Sequence, residues 1–169
     1  EVVQMPVSGL TNGAQPVISF NYGASQWERV KKAIRFTVVS GVIYATACWA
    51  ILFFFPAPFV LLFNDDPNLV SAAIPALHLY FFGYFMMSLQ FTGQSVFVAL
   101  GRSKHAIFFS LFRKIIIVVP LTLILPHLFG LGVTGVFLAE PISNFVGGAA
   151  SSLTMYFTQY RKLGKPEKV

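Results

Sequence analysis

The sequence predicts an all-α fold, a polytopic bundle of transmembrane helices. Apolar residues make up 56% of the 169 residues and charged residues only 11%, against roughly 25% charged in ordinary soluble domains. The charges cluster in short segments that separate long uncharged runs. Those runs do not alternate in polarity, as the roughly ten-residue strands of a membrane β-barrel would.

Taken in order, the runs give one partial and four complete spans. Residues 2–27 carry no charge. Glu1 to Ile18 is expected to be the back end of a membrane helix, made irregular by Pro6, Gly9, Gly13 and Pro16, with a break at Asn21-Tyr22-Gly23. The second run is residues 36–64. Its helix is expected to start near Ser25 or Trp27 and to end near Phe55, because Pro56 and Pro58 remove backbone donors. The roughly 20 residues from Phe36 to Phe55 span about 30 Å, the thickness of a hydrocarbon core. Asn64 to Asn68 reads as a turn. The third run, residues 67–101, exceeds one crossing, so tilt, overhang or a kink near Gly83 must absorb the excess. The fourth, residues 105–125, contains Arg113, Lys114 and Pro120. A Gly/Pro loop leads to the fifth, residues 135–160, with Glu140-Pro141 in its first third. Residues 1–160 form the membrane domain, and 161–169 form a basic tail expected to fray. No basic leader precedes the first apolar run, and the chain is expected to be a piece of a longer protein.

Charge placement orients these spans. Arg29, Lys31, Lys32 and Arg35 follow the first span, Arg102 and Lys104 the third, and Arg161, Lys162, Lys165 and Lys168 the last. The intervening loops hold Asp65 and Asp66, or no charge. Basic residues on alternate loops are the positive-inside pattern. It places loops 19–32 and 101–105 and the C-terminus in the cytoplasm of a multi-pass protein of the cell membrane.

Several function classes fall away. The net charge of +6 sits at loops and the tail, not on an extended basic face with interleaved aromatics, so nucleic acid is not an expected partner. One cysteine, Cys48, builds neither a disulfide nor a thiolate site. His78, His105 and His127 are scattered, so no metal site and no cofactor are called for. A membrane transferase would need paired acids or an activated nucleophile. The only acid pair, Asp65-Asp66, sits in a turn before Pro67. A purely structural membrane subunit remains a further alternative.

The residues resemble those of the multidrug and toxic compound extrusion (MATE) family in five places. These are Gly13-Ala-Gln-Pro-Val-Ile-Ser-Phe-Asn-Tyr-Gly-Ala24 with Arg29-Val30, Gln94-Ser95 with Ala99-Leu-Gly-Arg102, and Ser110-Leu-Phe-Arg113 with Pro120. The others are the Leu125-Pro126 to Gly135-Val136 loop and Ala139-Glu-Pro-Ile-Ser143. Their order and spacing carry the resemblance over nearly the whole chain. It implies twelve helices in two six-helix lobes, of which this chain supplies most of the second and lacks the N-terminal lobe. It implies exchange of H+ or Na+ for small organic, often cationic, drugs by alternating access. A related lipid-linked oligosaccharide flippase is the alternative within the superfamily, favoured only by a highly charged cavity. Asn144 stands where many relatives carry aspartate.

Within the spans, Glu140 is the only acid and the candidate for the coupling ion or proton. A carboxylate there is costly, and burial favours a protonated carboxyl, which suits proton exchange. The competing reading is a structural partner for a base. Pro141 is expected to break the helix locally. Arg113 is a candidate tie between helices, and Lys114 is expected to snorkel. Gln90 and Gln94 share a helix face at i, i+4. With Gln15, Asn21, Met87 and Phe91 they are the candidates for lining a substrate cavity. The small residues Gly147 to Ser152 predict close helix packing.

Overall fold

The computed structural model describes residues 3–127 and 132–164, and every regular element among them is helical. In chain order these are α1 (Met5–Gly23), α2 (Trp27–Phe54), α3 (Pro56–Leu61), α4 (Pro67–Tyr80), α5 (Tyr84–Ala99), α6 (Ser103–Leu111), α7 (Val119–Ile124) and α8 (Val133–Thr158). A π-helical segment, Phe112–Val118, joins α6 to α7, and a single 3-10 turn, Tyr160–Lys162, follows α8.

By length and apolarity, α2 and the continuous Ser103–Ile124 unit can cross a membrane, and so can α4 and α5 taken together as one span bent by 42°. The bend falls at Gly83, whose φ of +76° is a left-handed conformation that glycine adopts without steric cost. The excess length of residues 67–101 is thus absorbed by a kink. α8 is 26 residues long, about 39 Å, but its Gly, Ser, Asn and Glu residues dilute its hydropathy. α1 runs to Gly23, five residues beyond the expected end at Ile18, and passes unbroken through Pro16. α8 likewise passes unbroken through Pro141, so the break expected there does not exist. In apolar surroundings, opening the helix would free several backbone groups, whereas the proline removes one donor.

α5 is the centre of the bundle, packed against α8, α2, α1 and α6. Its small residues set the spacing. A Cβ added at Gly93 would lie 2.6 Å from Ser151 Oγ, and one added at Gly148 would strike the backbone carbonyl of Met86. α1 is tied to α5 by hydroxyls, with Ser95 Oγ donating to Thr11 O at 2.9 Å and Ser19 Oγ to Ala99 O at 2.8 Å. Large apolar side chains such as Phe20, Phe36, Ile43 and Leu153 face outward, as they do where the solvent is hydrocarbon.

Two apolar clusters occupy the two ends of the bundle. One gathers Ile18, Val30, Ile34, Phe97, Leu100, Phe109, Met155 and Leu163. The other gathers Ala45, Tyr84 and Met87 with Trp49, Phe81 and Phe91 against them. The bases Arg29, Lys31, Lys32, Arg35, Arg102, Lys104, Arg161 and Lys162 all fall at the end of the first cluster. Asp65 and Asp66 fall at the other, where Asp66 caps α4 by accepting from Asn68 N at 2.9 Å. The start of the tail is folded: Leu163 is buried against Trp27 and its neighbours. The rest of it, residues 165–169, lies outside the described residues.

Substituting Gly148→Ala is expected to cost about 1–3 kcal/mol, because backbone must move to admit the methyl group. Gly9, which has nothing within 4 Å of its Cβ position, is the control. Gly9→Ala should be neutral or stabilising by up to about 1 kcal/mol. Thermal unfolding of the two purified variants in detergent checks the contrast.

Candidate functional site

Glu140 and Asn144 lie one helical turn apart on α8 and face a cavity of about 690 Å³. α5 turns Met87, Gln90, Phe91 and Gln94 to it, a set at i, i+3, i+4 and i+7 that shares one face. Tyr80, Phe81 and Tyr84 reach it from the α4–α5 corner, Ser110, Arg113 and Lys114 from α6 and the π segment, and Val3 and Gln4 from the chain before α1.

The cavity wall is organised by one ion pair. Arg113 is buried, and its Nη2 donates to Glu140 Oε1. Arg113 Nε donates to Ser143 Oγ at 3.3 Å, and that hydroxyl donates to Glu140 O at 2.8 Å. The guanidinium is therefore held by two residues of α8. Arg113 reaches them through a slot at Gly147, where a Cβ would meet Gln90 Oε1 at 2.9 Å and Arg113 Cγ at 3.2 Å. Arg113 lies ten residues after Ser103 and eleven before Ile124, about 15 Å from either end of its span. A lone charge at that depth costs about 2.5–3.5 kcal/mol or more. Pairing removes most of the reason for either side chain to leave.

Arg113 is the second residue of the π segment. Val119 N donates to Lys114 O, five residues back, and Pro120 has no N–H to restore the usual register. Such wider turns inside α-helices occur frequently at functional sites. Lys114, next along, is exposed at the cavity rim.

Three polar atoms in the lining have no hydrogen-bond partner among the described residues. They are Tyr84 Oη, Gln90 Oε1 and Asn144 Oδ1, on residues that are 7%, 4% and 1% exposed. A buried acceptor left unpaired costs about 1–3 kcal/mol.

Of the candidates read from the sequence, Glu140, Arg113, Gln90, Gln94, Met87 and Phe91 come together here. Gln15 and Asn21 do not. Only the chain before α1 reaches the cavity from that side, and Asn21 is 17 residues further along, about 26 Å. Asn21 Nδ2 instead donates to Val17 O at 2.8 Å within its own helix. Gln4, Tyr80 and Ser110 were not foreseen. The i, i+4 spacing of Tyr80 and Tyr84 across the Gly83 corner was the available signal.

Kinked apolar helices that draw their charged and amide groups to one internal cavity are the architecture of a membrane transport protein. Residues 1–124 match the MatE family model, and the chain belongs to that family. It is 26% identical over 149 residues to the FAD transporter of Shewanella oneidensis, covering 88% of this chain and 32% of that one. It is 27% identical over 152 residues to the multidrug export protein MepA of Staphylococcus haemolyticus, covering 86% and 33%. Among solved structures, the MATE multidrug transporter DinF-BH superposes with a TM-score of 0.84 at 31% identity, over 93% of this chain and 34% of that one. A multidrug resistance MATE family transporter in its inward-facing conformation shares the fold, with a TM-score of 0.88 at 19% identity over 98% and 38%. The chain spans about a third of the length of the relatives it matches.

A double-mutant cycle tests the pair. Arg113→Gln and Glu140→Gln should each destabilise the protein, and their combination should cost less than the sum. The expected coupling is about 1–3 kcal/mol by thermal or denaturant unfolding. Additive losses would show that the pair contributes nothing.

Proposed function

We propose that this chain forms most of the second lobe of a MATE transporter that exports small organic molecules, often cationic drugs, in exchange for H+ or Na+. The membership of the family, the names of the relatives and the internal cavity support export. The observation that carries the exchange reading is the Arg113–Glu140 pair in the cavity wall beside unpaired amide and hydroxyl groups.

Glu140 would act as the switch. Binding a proton, or Na+, neutralises the carboxylate and leaves Arg113 without its counter-charge. The side chains around the π segment then favour a different arrangement, and the cavity changes shape with the ion. An ion can shift such an equilibrium only by its differential affinity for the two states, and a buried pair supplies that difference. Met87 and Phe91 give adaptable apolar contact, and Gln90 and Gln94 accept or donate hydrogen bonds. The gathering of bases at one end of the bundle supports a plasma-membrane orientation with that end and the C-terminus in the cytoplasm. The N-terminal lobe would close the cavity from the other side.

A second reading has an observation of its own. Two bases, Arg113 and Lys114, line the cavity against one acid, Glu140. That balance suits a cargo with an anionic group, and one relative is an FAD transporter.

Vesicles containing the full-length protein, loaded with a fluorescent lipophilic cation or with FAD, separate these readings. An imposed H+ or Na+ gradient should drive efflux of the cation, and Glu140→Gln should abolish the gradient dependence while leaving the protein folded. Gradient-driven movement of FAD alone would favour the second reading. Movement of neither would overturn both.

A further inference from the structure

A second cavity lies at the basic end of the bundle, outside the site described above. It holds about 640 Å³ and is lined by the α1–α2 connection, the first turn of α2 and the residues after α8. Trp27, Arg29, Lys31 and Arg161 supply its chemistry. Local backbone and packing shape this pocket. Ser25 is the one non-glycine residue with positive φ, +55°, among the described residues, and it turns the chain sharply into α2. Leu163 is buried beneath and anchors the chain after α8, which brings Arg161 to α2. Trp27 is fixed edge-on to Tyr22 with ring centroids 5.4 Å apart.

The charges are unbalanced. Glu28 pairs with Lys31 at 3.3 Å, which leaves Arg29 and Arg161 with no acidic partner among the described residues. Arg161 lies over the Phe157 ring at 5.7 Å, which holds its guanidinium at the boundary of the exposed apolar belt. Arg29 heads an exposed stripe on α2 that continues through Lys32, Phe36, Val39 and Ile43 at i, i+3 and i+4 spacing. Cationic head, aromatic collar and apolar wall are stacked in the order of a membrane interface. Basic pockets at that depth bind anionic headgroups, while Trp and Tyr settle at the same level.

We propose that this pocket binds the phosphate group of an anionic phospholipid between Arg29 and Arg161, with an acyl chain lying along Phe36, Val39 and Ile43. The bound lipid would tie the start of α2 to the residues that follow α8, which pack against Trp27. It does not depend on which molecule the central cavity carries.

Native mass spectrometry of the full-length protein from nanodiscs of phosphatidylcholine with phosphatidylglycerol reads the site. Wild type should retain phosphatidylglycerol in preference to phosphatidylcholine. Arg29→Gln with Arg161→Gln should weaken that retention by roughly 25-fold, about fivefold per base near an anionic surface. Replacing both by lysine should restore most of it. Glu28→Gln, which frees Lys31, should strengthen it, and this variant keeps the test open if the double glutamine protein does not fold. Free inorganic phosphate added in millimolar excess should not displace the lipid if the apolar wall contributes. Displacement would assign the pocket to soluble phosphates and overturn the lipid. Equal retention of the two lipids, or no change in the charge variants, would overturn the site.

Discussion

Arg113 and Glu140 stand within the span of their helices, where neither charge is tolerated alone. Much of the bundle's arrangement accommodates their meeting. Arg113 sits in the π segment, Gly147 leaves the slot it passes through, and Ser143 fixes the guanidinium from the same helix that carries Glu140. α5 and α8 approach closely because small residues line their contact, and that approach brings Gln90 beside the pair. A general constraint lies behind these details. Where the solvent is hydrocarbon, polar groups are satisfied inside the protein, so a few of them dictate how the helices must turn.

The same constraint shows in where several polar side chains find their partners. Ser95 and Ser19 direct their hydroxyls to the backbone of a neighbouring helix, and Asn21 directs its amide to its own. Tyr84, Gln90 and Asn144 have none of these outlets and line a cavity. Those three stand near one ion pair in the cavity wall, while Trp49 Nε1, Ser88 Oγ and Ser151 Oγ are equally unpaired among the described residues and do not line it.

The two ends of the bundle follow a different logic. Bases collect at the end where α1 gives way to α2, α5 to α6, and α8 to the tail, and a buried apolar cluster underlies them. The tail's first residues are drawn onto that cluster by Leu163, although their composition alone reads as a frayed basic extension. One leucine within a basic segment is too small a signal to read without knowing that Trp27 and Val30 lie opposite.

The sequence by itself determined the class of fold, the approximate spans and the basic end, because each rests on composition or local chemistry: uncharged length and the placement of lysine and arginine. It offered a kink near Gly83 beside tilt and overhang, and the structure selected the kink. The sequence also picked out Glu140 and Arg113 as costly residues. Only the tertiary structure decided that they face each other, since residues 27 positions apart have no local signal linking them. It likewise decided that Gln90 and Gln94 reach the cavity while Gln15 and Asn21 do not. All four are amides in uncharged runs, and what separates them is which level and which face of the bundle their helix presents. Proline, finally, announced a break at Pro141 that the packed helix does not make, because in apolar surroundings opening a helix costs more than the one bond that proline removes.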